Sequence, residues 1–362
     1  MMRKRIIDIG WEEFEKLPLI EKTPYLTRPE NGGPFHTLFA QQFDRERLEA
    51  LAATASAIRA IAKTRDGAMF LHSLICHKRA MLYFSQPSSR TFLSFLSACQ
   101  ILGLQCGEVR DAAISSEFKG ESREDSVRTF SSYFDLIIMR SPVQGLAERM
   151  AWTLSNSDRP VPIINAGSGK DQHPTQALLD IYTLLRSFER KGGLRDRTVV
   201  FVGDLARGRT VRSLSYLLTL FPNIRQRFVA PAPLQLGEDI QEFLRSKGVD
   251  FALSDDLHSM LPEADAVYMT RIQDEWDTAP GESKAIDTSR FRIGSEEMKL
   301  LPLSGIVMHP LPRRNEISTE VDHDPRAMYW RQMRNGMWIR AALIASTFGF
   351  DRKIEEYYRA NF

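Results

Sequence analysis

Ser88-Ser89-Arg90-Thr91 gathers three hydroxyls and a guanidinium in four consecutive positions. They follow a short β-prone run, Ala80 to Phe84, and open an apolar run, Thr91 to Leu104, that reads as a buried helix. A helix start offers unpaired backbone N–H groups and the positive end of the dipole. An Arg placed there can grip a phosphate through two parallel hydrogen bonds. The segment therefore reads as a phosphate cradle without the glycines of a Walker loop, with an ordinary serine cap beside a surface Arg as the plainer alternative. His173-Pro174-Thr175-Gln176 opens a second helix, where His and Gln could bond a small carbonyl or amide, or merely cap the turn. Two further clusters carry cations: Asp204 to Thr210, with Arg207 and Arg209 in a strand-to-helix turn, and Arg271-Ile272-Gln273. Each suits a carboxylate or phosphate, and each could equally be a solvated basic loop. Asp204 to Thr210 lacks the glycine fingerprint and so lends little to dinucleotide binding. The chain has no GxSxG, no HExxH and no cluster of paired carboxylates that suggests a catalytic site. The chemistry expected is anion binding and transition-state electrostatics, with no covalent nucleophile, metal or cofactor.

These clusters need a scaffold that places them together. Leu136 to Met139, Val161 to Asn165, Thr198 to Val202, Phe228 to Ala230, Ala266 to Met269 and Ile306 to His309 are short apolar runs, as expected of buried parallel strands. Helical patterns alternate with them over Phe39–Ile61, Gln176–Phe188, Thr210–Phe221, Ile240–Lys247 and Arg326–Ser346. Alternation of this kind predicts an α/β protein, and 362 residues suggest two domains, each an open parallel sheet flanked by helices. Ligands in such sheets bind beyond the carboxyl ends of the strands. The polar clusters, including Arg140 and His309 to Arg313, all fall just after predicted strands. The basic, glycine-containing segment Glu189 to Gly193 marks the expected boundary between a domain over 36–188 and one over 189–335, preceded by an extension over 1–35.

Hydrophobic residues make up 43% and charged residues 26%, with a net charge of +2, so the global field argues for neither nucleic acid nor a membrane. Cys76, Cys99 and Cys106 form no CxxC pair; a reducing compartment and buried packing are expected for all three. The basic, then acidic N-terminus has no apolar h-region, and no run approaches bilayer length. A cytoplasmic location is expected.

Read in order, YFSQPSSRTFLSF, KGES, MRSP, HPTQALLD, VGDLARGRT, YMTRIQDE and HPLPR resemble the motifs of the aspartate and ornithine carbamoyltransferase family, on its aspartate branch, over roughly residues 36 to 350. The resemblance implies transfer of the carbamoyl group of carbamoyl phosphate to the amine of L-aspartate. Ser88, Ser89, Arg90 and Thr91 would hold the phosphate. Arg140 would bind phosphate and carbonyl oxygen, and Thr91, Arg140 and His173 would polarise that carbonyl. Gln176 and the backbone carbonyls of Pro310 and Leu311 would bond the carbamoyl NH₂. Arg209, Arg271 and Gln273 would grip the two carboxylates of aspartate. Ser115 and Lys119 match a loop lent to a neighbour's site, Lys119 also touching aspartate, which implies a homotrimer, open to higher assembly with regulatory subunits. The resemblance also implies that the terminal helix, 336–362, completes the carbamoyl-phosphate domain, and that the domains close over the bound pair. A late loop without Cys, and an Arg with a Gln suited to a second carboxylate, favour aspartate over ornithine. Another amino acceptor, or a non-catalytic metabolite-binding homologue, remains as the alternative. The chain departs from the family pattern at Ser89 (usually Thr), Phe92 and Leu96 (usually an Arg–Glu pair), Ser141 (usually His) and Phe118 (often Lys). Replacing a whole ion pair by packed hydrophobes is often neutral, so Phe92 and Leu96 are expected to be compensated structure.

Overall fold

The computed structural model describes residues 5–28, 33–110, 120–169, 173–274, 277 and 281–362, the side chains of 282 and 283 excepted. It divides into two compact units, residues 1–179 with 336–362, and residues 180–335. Both are parallel α/β sheets flanked by helices.

The sheet of the first unit runs β2-β1-β3-β4, with β1 Arg79–Phe84, β2 Gln105–Val109, β3 Leu136–Ser141 and β4 Ile163–Ser168. Every residue of β3 and of β4 is buried, which is why these strands read as unbroken apolar runs rather than alternating ones. Parallel neighbours need crossover helices, and two of these lay below the threshold of sequence pattern, Arg123–Tyr133 and Leu146–Ser155, as did the helix Arg65–Ser73 that precedes β1. The helix expected from Phe39 starts at Arg45 instead, because Asp44 caps it by accepting from the Arg47 N–H at 2.8 Å.

The described part of the N-terminal extension is built into this unit's core. Ile6, Ile9, Phe14 and Leu26 are buried with Met81, Tyr83, Ile137, Met150 and Ile163. Trp152 Nε1 donates to the Ile9 carbonyl at 3.0 Å, and Lys22 pairs with Glu148 at 2.6 Å with both side chains largely buried. The segment shows little periodicity because it folds as helices and turns of three to six residues, too short for a 3.6-residue pattern to repeat. Cys99 is buried and Cys106 half-buried, but Cys76 is exposed: it sits in the turn after the Arg65–Ser73 helix, where Ile75 takes the inward position.

His36 is fully buried in this unit. Its Nδ1 accepts from the Ile163 N–H at 3.0 Å, so Nε2 carries the proton and donates to Ser155 Oγ at 2.8 Å. Burial lowers its pKa from 6.5 to about 3. The unfolded state therefore binds the extra proton first, and this contribution to stability is present above about pH 6.5 and lost as pH falls toward 3. Urea midpoints should decline across that window, and less steeply in a His36→Gln chain; equal slopes would count against the assignment.

The second sheet runs β7-β6-β5-β8-β9, with β5 Thr198–Val202, β6 Arg225–Val229, β7 Phe251–Ser254, β8 Ala266–Met269 and β9 Ile306–Met308. The division at Leu179/Asp180 falls inside the helix Pro174–Phe188, whereas the basic segment expected as the boundary is where that helix ends, in two glycines at φ 88° and 79°. The reason lies in the side chains: Asp180 accepts from Tyr268 and Gln332, and Thr183 from Asn335, all within the second unit.

Candidate active site

In the first sheet, chain order reverses between β1 and β3, and a crevice opens at such a switch point. The two strands are paired through Phe84 and Arg140. The segment after β1 is fixed there, since the Ser85 N–H donates to the Arg140 carbonyl at 3.0 Å. Ser89–Ile101 is then helical, with Ser88 at the N-cap in extended backbone. The Ser88 side chain makes no capping hydrogen bond, so the plain serine-cap alternative is not what the structure shows. The first turn of a helix presents backbone N–H groups suited to an anion. Thr91 is buried and Arg90 exposed at the same helix end.

Arg140 lies in β3 and is 8% exposed. Its Nη1 donates to the Ala166 carbonyl at 3.1 Å. Gly167, at φ 124°, leaves room for it: a Cβ there would lie 2.5 Å from Arg140 Nη1 and 3.4 Å from His173 Cδ2. One glycine thus brings the guanidinium and the imidazole to the same place. Gly167→Ala should displace both and lower kcat/KM by about 10²-fold with the chain still folded; steady-state kinetics beside circular dichroism checks this. His173 and Gln176 are both buried, and the His173 carbonyl accepts from the Gln176 N–H at 3.0 Å as the helix begins.

A residue that the sequence did not flag holds these two helices in register. Arg340 is buried on the Tyr329–Thr347 helix, donating to Ser94 Oγ at 2.7 Å and to Thr175 Oγ1 at 3.5 Å. Ser94 belongs to the helix beginning at Ser89, and Thr175 to the one beginning at Pro174. Sequence distance hid the contact.

The second sheet has its own switch point, between β5 and β8, where Val202 pairs with Met269. Gly203, at φ 112°, follows β5, and a Cβ there would meet the Thr270 carbonyl at 2.2 Å, so the two loops touch backbone to backbone. Fully buried Asp204 ties them: it accepts from the Arg207 N–H at 3.1 Å and the Gln273 N–H at 3.0 Å. Arg209 opens the helix Arg209–Leu218 on one loop, and Arg271 and Gln273 occupy the other. Three guanidinium-bearing residues and an amide therefore gather at this sheet's crevice.

The loop after β9 is set by His309. Its Nδ1 accepts from the Leu311 N–H at 2.7 Å, so Nε2 carries the proton toward Glu316 at 2.7 Å. Burial, with help from the charges of Arg271 and Arg313, holds its pKa below the ordinary value against the pull of Glu316. Leu311 sits at φ 55°, followed by a cis bond to Pro312. Arg313 is structural: it pairs with Asp322, keeping that carboxyl below its usual range. Ser115 and Lys119 lie outside the described residues.

Residues 36–186 match the carbamoyl-phosphate-binding domain model of the aspartate/ornithine carbamoyltransferases, and residues 195–347 match their aspartate/ornithine-binding domain model. The chain belongs to the aspartate/ornithine carbamoyltransferase family. It is 41% identical over 309 residues to the chloroplastic aspartate carbamoyltransferase 1 of Pisum sativum, covering 84% of this chain and 76% of that one. It is 37% identical over 330 residues to the aspartate carbamoyltransferase catalytic subunit of Dichelobacter nodosus, covering 89% and 92%. Among solved structures, the aspartate transcarbamoylase of Trypanosoma cruzi in complex with N-(phosphonacetyl)-L-aspartic acid superposes with a TM-score of 0.76 at 37% identity, covering 86% and 95%.

Two of the departures from the carbamoyltransferase pattern, Phe92 and Ser141, have local explanations. Phe92 is buried edge-on against Phe84 at 5.4 Å, and the Arg110 guanidinium lies 4.3 Å from its ring centre. Apolar packing and a cation–π contact thus surround Phe92 at the first of the two positions where the resemblance implies an ion pair. Ser141 accepts from the Val143 N–H at 3.1 Å and so turns the chain after Arg140. Phe118 lies outside the described residues.

Proposed function

We propose that this chain catalyses transfer of the carbamoyl group from carbamoyl phosphate to L-aspartate, yielding N-carbamoyl-L-aspartate and phosphate for pyrimidine biosynthesis, and that it does so with the residues gathered at its two switch points. The observation that carries this is the uncapped helix start at Ser88 beside buried Arg140. It is a phosphate site by charge, by hydrogen-bonding capacity and by position in the sheet. Ser88, Ser89, Arg90 and Thr91 hold the phosphate. Thr91, Arg140 and His173 stabilise the oxyanion that forms when the neutral aspartate amine attacks the carbonyl carbon. Gln176 and the carbonyls of Pro310 and Leu311 take the carbamoyl NH₂, and Arg209, Arg271 and Gln273 take the carboxylates. The C–N bond forms first; the intermediate then collapses with cleavage of the C–O bond to phosphate, and the departing phosphate accepts the amine proton, so no protein base is required.

Phosphate release measured with aspartate, ornithine and N-acetylornithine tests the acceptor; absence of turnover with aspartate would overturn the proposal. The chain works as a homotrimer in the cytoplasm, with Ser115 and Lys119 completing a neighbour's site; the KGES match supports the loop. Mixing Lys119→Ala with Arg140→Ala chains, each inactive alone, should regenerate activity through hybrid sites, and no recovery would argue for sites made by one chain.

A further inference from the structure

The pairing of β3 with β4 is irregular at one place. Met139 pairs with Asn165 and Ser141 with Ser168, so β4 spends one residue more than β3 over this stretch. Arg140 is the β3 residue opposite the irregularity. An extra residue of this kind interrupts the ladder and re-aims the side chains around it. It also leaves backbone groups in need of other partners, and in a fully buried strand water does not supply them.

Asn165, 2% exposed, supplies them. Its Oδ1 accepts from the Gly167 N–H at 2.8 Å. Its Nδ2 donates to the Leu38 carbonyl at 2.9 Å and to Ser168 Oγ at 3.1 Å. The orientation of the amide follows from its partners, because a backbone N–H can only donate and a carbonyl can only accept. Leu38 is itself fixed, since the chain before it runs beside β4: the Thr37 N–H donates to the Ile163 carbonyl at 2.8 Å, and the Thr37 carbonyl accepts from the Asn165 N–H at 2.8 Å. One side chain thus ties the irregular turn to a neighbouring segment of the same unit.

The residue spanned by the Asn165–Gly167 bond is Ala166, and its carbonyl is the one that accepts from Arg140 Nη1 at 3.1 Å. Fixing the peptide units on either side of Ala166 fixes the direction of that carbonyl, and with it the orientation of the guanidinium. We propose that Asn165 is a positioning residue for the carbamoyl phosphate half of the reaction: it holds β4 in the shape that aims Arg140. The proposal rests on Arg140 as the grip for phosphate and carbonyl oxygen.

The test is a double-mutant cycle on the full-length chain, with phosphate release measured where circular dichroism shows every variant folded. Asn165→Ala raises KM for carbamoyl phosphate and lowers kcat, a combined loss of ~10²-fold in kcat/KM. KM for aspartate, whose assigned ligands lie on the second sheet, stays within about twofold. In an Arg140→Ala chain the same substitution costs less than about threefold, because the group it positions is already gone. A merely structural Asn165 predicts a lower denaturant midpoint with kcat/KM of the folded enzyme unchanged, and that result overturns the proposal. So does a full loss repeated in the Arg140→Ala chain, which would show that Asn165 acts independently of Arg140. If Asn165→Ala does not fold, Asn165→Ser takes its place in the cycle; its hydroxyl accepts more weakly from the N–H two residues on, and the same outcomes decide. Arg140→Ala separates the two levels. If it cripples the enzyme while Asn165→Ala does not, the proposal alone fails. If it leaves kcat/KM within tenfold, the assignment of Arg140 fails and the proposal with it.

Discussion

Arg140→Ala is expected to lower kcat/KM by ~10³-fold or more without unfolding the chain. The guanidinium is buried in β3 at the switch point of its sheet, beside the uncapped helix start at Ser88. It is the group assigned to both the phosphate and the carbonyl oxygen, so its loss weakens ground-state binding and transition-state stabilisation together. Arg140→Lys should recover little, because a single ammonium cannot keep the 3.1 Å bond to the Ala166 carbonyl and also reach two substrate oxygens. Single-turnover assays separate the binding loss from the chemical one. Removal of one buried side chain also costs some stability, so activity is compared at a temperature where circular dichroism shows both variants folded. A loss of less than tenfold would place the oxyanion elsewhere.

Asp180→Ala is expected to destabilise the second unit by about 4 kcal/mol, since a stranded buried donor costs about 1–3 kcal/mol and the substitution strands two. Asp180 is fully buried, accepting from the Tyr268 hydroxyl at 2.7 Å and from Gln332 Nε2 at 2.6 Å. The chain of bonds continues into the site. Gln332 Oε1 accepts from the His309 N–H at 2.9 Å, and His309 in turn holds Leu311. The variant should therefore also misplace the loop carrying Pro310 and Leu311. Asp180→Asn keeps one acceptor and should lose roughly half as much. Hydrogen exchange across β8 and the Tyr329–Thr347 helix, read with denaturant midpoints, checks both; native-like protection in Asp180→Ala would contradict the network's role.

Much of the candidate site was legible because its ligands are local in sequence. Ser88 to Thr91, Asp204 to Arg209 and Arg271 to Gln273 each follow a strand, and a parallel sheet puts such segments at one edge. The flanking strands were equally legible, because burial on both faces demands unbroken apolar runs. What escaped was of two kinds. Half-buried edge strands such as β2 and β7, and the helices Arg65–Ser73 and Arg123–Tyr133, have patterns too short or too polar to stand out. Residues that act at long sequence separation leave no local trace at all: Arg340 on Ser94 and Thr175, and Asp180 on Tyr268 and Gln332.

The phosphate loop marks the division. Its residue types, their place after a strand, and the alternation that makes the sheet parallel are properties of the sequence, since backbone geometry and side-chain period dictate them within a few residues. That Ser88 leaves its helix end uncapped, that Gly167 makes the space in which Arg140 and His173 meet, and that Arg340 holds the two helices were decided only by the tertiary structure. Each depends on groups brought together from distant parts of the chain, where close packing and the need to satisfy every buried polar atom select one arrangement.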